Sequence, residues 1–177
     1  VELFSELGVF EYHLSQRERF RTGKLWEHWA EAYPKVFDAD DIRIARTQAG
    51  PPNNLHFFEW LAAVLIYQSF GYLSLLQQYE FKEHRRKQAV LRELLAPEVF
   101  ALVTHHKHPK RLPFGDVQCP DLLVYAPDRS DWFFCEVKGP RDRLREVQAA
   151  FFHALSDTSG KDIRLVRFRL APMSGAA

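Results

Sequence analysis

Three charged residues stand where a packed pair of strands should be apolar. The chain holds two strand-like runs, "DLLVY" over residues 121–125 and "WFFCEVK" over residues 132–138, and the charges are Asp121, Glu136 and Lys138. The "APDRSD" between the runs, with Pro127, Asp128 and Ser130, suits a hairpin connection. Pairing Ala126 with Asp131 leaves a four-residue loop, a common length for such connections. Counting back then sets Tyr125 against Trp132, Leu123 against Phe134 and Asp121 against Glu136. Directly opposed side chains lie roughly 4.5–5.5 Å apart at Cβ, close enough for like charges to repel. Strand alternation puts Lys138 on the face of Glu136, with Cys135 and Val137 on the other. Opposed carboxylates are tolerated when a divalent cation sits between them, and Mg²⁺ is typically held by one or two carboxylates plus water and substrate phosphate. A lysine beside them can stabilise phosphate charge or orient an attacking water. The chemistry this set would support is phosphodiester hydrolysis. Taken singly, each residue also fits a solvated strand end, because Lys, Glu and Asp are mostly surface residues.

Two more polar residues fall on apolar faces. In "NNLHFFEWLAAVLIY" Glu59 has Leu55, Phe58, Ala62, Ala63 and Ile66 as its helical neighbours. With Asn54 as N-cap, Glu59 occupies the fifth helical position, beyond the reach of a capping box. It is either a hydrogen-bonded core carboxyl, a partner for a basic group, or a third metal ligand. Downstream, Leu144, Val147, Phe151, Phe152 and Leu155 form an inward stripe that includes Gln148. Gly139 and Pro140 suit a sharp entry into that helix, expected over about 141–155. Arg141, Arg143 and Arg145 then lie near the charged strand end, placed to grip phosphates or to remain solvated.

Around these residues the chain reads as one domain of 177 residues, whose 46% hydrophobic and 14% aromatic content is ample for a core. "FRTGKLWEHWAEAY" has helical spacing and ends at Pro34, so residues 1–50 read as a helical N-terminal extension. "RTQAGPPNN" is a loop. A helix follows over 55–70, then the helix-or-strand segment "YLSLLQQYEF", then the amphipathic helix "KEHRRKQAVLRELL" stopped before Pro97. A loop carries His105, His106, His108, Pro109 and Pro113. The hairpin, the helix after it and a last strand "IRLVRF" complete the chain. The formal net charge of +1 lacks the bulk basicity usual in nucleic-acid binders, so any such surface must be local. Two cysteines, Cys119 and Cys135, are too few for a disulfide framework and suit a reducing compartment. No apolar run approaches the length of a membrane span. The chain opens on Val1, as a processed product or a piece of a longer polypeptide would.

"PDLLVY" followed by "FFCEVKGPRDRLREVQ" resembles the VRR-NUC branch of the PD-(D/E)XK nucleases. Pro120 and Asp121 match the family's PD, Glu136, Val137 and Lys138 its E-x-K, and "KGPRDRL" with Gln148 its continuation. The resemblance is close from Pro120 to Gln148 and looser from Leu55 to Phe168. It departs at Gln118 and Cys119, where the family often has glycine, and residues 1–50 match nothing in it. It implies an α/β fold, a mixed-sheet restriction-endonuclease-like core over 51–177 flanked by helices, and hydrolysis of DNA with Mg²⁺ or Mn²⁺. Asp121 and Glu136 would bind the metal, Val137 would lend its carbonyl, and Lys138 would be the catalytic lysine. Gln148 joins the catalytic group, and Glu59 is similar in placement to the family's early-helix acid.

That resemblance fits a repair or phage-type nuclease acting in the cytoplasm. It fits equally the toxin domain of a secreted antibacterial effector, which would imply a cognate immunity protein. A second class is a catalytically idle nucleic-acid-binding module, for which the "KEHRRK" helix offers local charge; the intact Asp121, Glu136 and Lys138 count against it. A third takes His105, His106, His108 and Cys119 as zinc ligands, although their spacing is no familiar zinc pattern.

Overall fold

The computed structural model describes residues 4–47, 56–76, 79, 84–105 and 118–172; the expected N-cap Asn54, His106 and His108 lie outside them. The chain runs β1 (Phe4–Tyr12), α1 (Leu14–Arg21), α2 (Lys24–Ala32), α3 (Ala39–Thr47), α4 (Phe57–Phe70), β2 (Leu73–Leu76), α5 (Arg85–Leu94), α6 (Pro97–His105), β3 (Leu122–Tyr125), β4 (Trp132–Lys138), α7 (Glu146–Ser159) and β5 (Ile163–Leu170). The strands form one sheet in the order β1-β5-β4-β3-β2, with β1, β5 and β4 parallel to their neighbours and β4, β3 and β2 antiparallel. This is the expected mixed α/β fold.

The sheet is buried on both faces, so its central strands are continuous apolar runs. Leu122, Val124, Phe133, Cys135, Val137, Val166 and Phe168 pack with Phe20, Trp29, Phe57 and Trp60 on one side. Leu123, Tyr125, Phe134 and Ile163 pack with Val90, Leu91, Val103, Phe151, Phe152 and Leu155 on the other. The helix α4 is apolar all round because it is enclosed: Trp60, Ala62, Ala63 and Ile66 are inaccessible to solvent. It ends at Gly71, whose φ of 71° is the left-handed conformation that lets its N–H reach Tyr67 O.

The hairpin follows the register expected of it. Ala126 N donates to Asp131 O at 2.8 Å, and Tyr125 pairs with Trp132 and Leu123 with Phe134. Asp128 Oδ1 accepts from Ser130 N and Oγ inside the loop, fixing its turn.

Three local expectations need correcting. The segment before residue 50 is helical only from Leu14; Phe4–Tyr12 is a strand paired with β5, and Phe20, Leu25, Trp26, Trp29 and Ala45 share one core with α4. A helix, α6, precedes the histidine loop, with Pro97 as its first residue. The helix after the hairpin begins at Glu146, not Arg141. Asp142 holds a turn instead, its Oδ2 accepting from Gly139 N at 2.8 Å while its N–H donates to Gly139 O at 3.2 Å. Val147 is therefore exposed and Leu144 precedes the helix, leaving Gln148, Phe151, Phe152 and Leu155 inward.

Candidate active site

The last paired residues of the hairpin are Leu122 and Cys135; Asp121 and Glu136 are the next residue on each side, near enough for the charge of Glu136 to act on Asp121. Asp121 Oδ2 accepts from Val137 N at 2.8 Å, which ties the aspartate to the strand carrying Glu136. Pro120, just before it, is held by Tyr79, whose hydroxyl donates to Pro120 O at 2.7 Å; Gln88 Nε2 on α5 holds Tyr79 O at 3.0 Å. Sequence reasoning missed Tyr79 and Gln88, because neither belongs to a pattern and their contacts exist only in the folded chain.

Glu136 is buried, and its Oε1 accepts from Lys138 Nζ at 2.6 Å. Its Oε2 is buried with no hydrogen-bond partner. Burial pushes the Glu136 carboxyl up against the opposing pull of the Lys138 ammonium. Asp121, which keeps partial solvent access, has its carboxyl raised well above the ordinary range by desolvation, then by the charge of Glu136, then by that of Glu59. The site thus holds two opposed carboxylates against one ammonium, and an unused buried oxygen faces the imbalance. Two carboxyls against one ammonium is an electrostatic condition that a divalent cation would relieve.

Glu59 is the third member. It is the third residue of α4 rather than the fifth, because the N-cap is His56. Its Oε1 lies 3.0 Å from His56 Nδ1, and both side chains are half-buried. His56 adopts φ 66°, uncommon for a side chain of its size. Glu59 is near enough to act on Asp121 electrostatically, yet among the described residues no three carboxylate, imidazole or thiolate groups gather around a point a metal ion would fill. Strand alternation directs Glu136 and Lys138 toward the α7 layer, whereas Glu59 comes from α4 on the other side of the sheet.

Gln148 is buried at the start of α7, where its Oε1 accepts from Arg145 N and Arg145 Nε, each at 3.3 Å. It caps the helix and orients that arginine. Arg141, Arg143 and Arg145 are exposed along the segment after Lys138, on a turn and an extended stretch rather than a helix. Gly139 is required there: a Cβ would lie 2.8 Å from Phe58 Cε2 and 2.9 Å from Asp142 Oδ2. Cys119 is buried away from any such chemistry, its Sγ donating to Val103 O at 3.6 Å; of the histidines named with it only the backbone of His105 is described.

The core expected of the resemblance, a mixed sheet between helical layers with Asp121, Glu136 and Lys138 at adjoining strand ends, is present. No protein-family model matches the chain. No curated protein matches it either. Among solved structures the chain is similar to paFAN1 bound to a 2-nt 5′ flap DNA with a gap, at 20% identity and a TM-score of 0.32. That match covers 66% of this chain and 24% of the other, and at such a TM-score it decides nothing about function.

Proposed function

We propose that this chain is a divalent-metal-dependent nuclease of the VRR-NUC type that hydrolyses DNA phosphodiester bonds. The observation that carries the proposal is the junction of Asp121 and Glu136 at the ends of β3 and β4, with Glu136 Oε2 unpartnered and Lys138 Nζ 2.6 Å from the other oxygen. Mg²⁺ or Mn²⁺ would be held by Asp121, Glu136 and the Val137 carbonyl, with Glu59 near enough to Asp121 to add its negative charge to the site. Such an ion supplies Lewis-acid activation of the phosphate and of water. Asp121 is kept in place by the Val137 N–H, which Oδ2 accepts at 2.8 Å. Lys138 neutralises Glu136 in the resting protein and offers its ammonium to the charge that builds on the phosphoryl oxygens. Arg141 and Arg143 reach for flanking phosphates, while Gln148 steadies Arg145.

Incubation with supercoiled plasmid, linear duplex, flap and junction DNA, and RNA, with and without Mg²⁺ or Mn²⁺, tests this. Cutting of DNA that requires the ion and stops with chelator is the expected result. A second reading, the catalytically idle nucleic-acid-binding module, is favoured by the Lys138–Glu136 ion pair, which already satisfies one carboxylate oxygen. DNA binding without cleavage in either ion would establish it in place of the nuclease.

The chemistry serves a repair or phage-type enzyme and the toxin domain of a longer effector alike. Production inside bacterial cells separates them. A toxin arrests growth through Lys138 and is relieved by an immunity protein, whereas a repair enzyme is tolerated.

A further inference from the structure

The helix α1 lies in the part of the chain that matches nothing in the nuclease resemblance, yet it reaches the proposed site through one aromatic ring. Phe58, next to Glu59, meets Tyr12 edge-on at 5.0 Å, stacks on Phe168 at 5.2 Å and sits under the Arg17 guanidinium, 5.6 Å from the ring centre. Its far edge is so near Gly139 that any side chain at that position would collide with it, and Gly139 follows Lys138 directly. Phe58 therefore joins α1, β5 and the strand end in one cluster.

Arg17 is half-buried, its Nε is shielded from water without a hydrogen-bond partner, and no described carboxylate pairs with it. Its neighbour Glu18 is taken by Arg21. A guanidinium whose plane is steadied on an aromatic face and whose donors are unused is suited to bidentate phosphate recognition. Arg19 is exposed and, two residues along the helix, points to the opposite side.

We propose that Arg17 is a phosphate-contacting residue of the DNA-binding surface, so that the N-terminal segment belongs to the working face of the nuclease. This rests on the nuclease reading given above. With Arg141 and Arg143 it forms two basic arms, one on α1 and one on the segment after Lys138, around the strand end that carries the candidate chemistry.

The test is binding of a short fluorescein-labelled DNA duplex to the full chain, carried in the Lys138→Ala background so that the probe persists, with wild-type cleavage followed in parallel. Arg17→Gln should weaken binding on the order of tenfold and flatten the dependence of log affinity on log salt by about 0.9. Arg17→Lys should keep the salt slope, and Arg19→Gln should bind as its parent does. If Arg17→Gln binds as its parent does and only melts earlier, while the wild type cuts DNA, Arg17 is a packing residue and the proposal falls alone. Equal losses in Arg17→Gln and Arg19→Gln would reduce it to general charge and overturn it. A wild type that neither binds nor cuts DNA removes the nuclease reading and this inference together.

Discussion

Two buried lysines face carboxylates in this molecule, and the two pairs are finished differently. Lys87 on α5 is wholly enclosed, with Nζ 2.5 Å from Asp41 Oδ1 and 2.6 Å from Leu76 O. Asp41 Oδ2 accepts from Asp38 N at 3.0 Å while Asp38 Oδ1 caps Asp41 N at 2.9 Å, so α3, α5 and the end of β2 are locked by a pair with both carboxylate oxygens used. Lys138 meets only one oxygen of Glu136, the other is unpartnered, and Asp121 adds a second negative charge beside it. The first pair is neutral and closed. The second is left with a buried, unpartnered oxygen and a neighbouring carboxyl whose ionisation burial and the charge of Glu136 oppose. The two carboxylates differ in what their second oxygen does: that of Asp41 is used by the fold, and that of Glu136 is not.

Breaking the closed pair should have the largest effect. Asp41→Ala leaves the Lys87 ammonium buried and unmatched, and should lose about 3–5 kcal/mol in denaturant unfolding. Replacing both, Asp41→Leu with Lys87→Met, should recover most of that loss. A single substitution that leaves the unfolding midpoint where it was would show that the pair braces nothing.

At the open pair the largest loss should be in rate. Lys138→Ala should slow DNA cleavage on the order of a hundred-fold or more, with melting in Mg²⁺ close to the wild type. Lys138→Arg should not restore the rate, because a planar guanidinium cannot stand in for a compact ammonium. Near wild-type cutting by Lys138→Ala would remove the distinction drawn between the pairs and take Lys138 out of the chemical step.

Removing the excess charge should stabilise the metal-free protein. Asp121 has its folded pKa raised above the unfolded value, so its contribution to stability is full below about pH 4 and is lost as pH rises through the folded pKa. Asp41 acts in the same direction, burial outweighing Lys87 and lifting it to about 6. Without divalent ions, wild-type stability should therefore decline between about pH 4 and neutrality. Asp121→Asn should soften that decline and gain about 1 kcal/mol at pH 7. Melting curves across that range check it; an equal loss at every pH would mean that Asp121 serves packing rather than charge.

Glu59→Ala should have an effect of similar size, lowering Mn²⁺ affinity by titration calorimetry on the order of tenfold. Its carboxylate is engaged by His56, and an unchanged affinity would confine Glu59 to the start of α4.

The hairpin was legible because a four-residue connection and period-two alternation leave little freedom, and Asp121, Glu136 and Lys138 followed from it. What lay outside local pattern was harder to see. The strand β1 does not alternate cleanly between buried and exposed, because its edge position and a register shift between Glu6 and Gly8 break the period. Pro140 reads as a helix start, but Asp142 captures the Gly139 N–H and delays α7. The true N-cap His56, in a conformation histidine seldom takes, moved Glu59 by two helical positions. The Asp41–Lys87 pair was invisible because its members are distant in sequence and each sits in a charged stretch, "ADDIR" and "HRRKQ", that reads as surface.

One further consequence follows from β5 lying between β1 and β4. Phe4 pairs with Ile163 and Tyr12 with Leu170, so the strand nearest the start of this chain has its partner only when the last strand has been made. Such non-local pairing slows folding, and during synthesis the early segment waits with its apolar side chains uncovered. The β3–β4 hairpin, joined by a short local turn, can form long before. Assembly is thus ordered, with the β3–β4 hairpin that carries Asp121 and Glu136 able to form before β1 gains its partner. Pulse proteolysis of nascent chains stalled before and after residues 163–170 would read this order, and protection of β1 already in the shorter chain would contradict it.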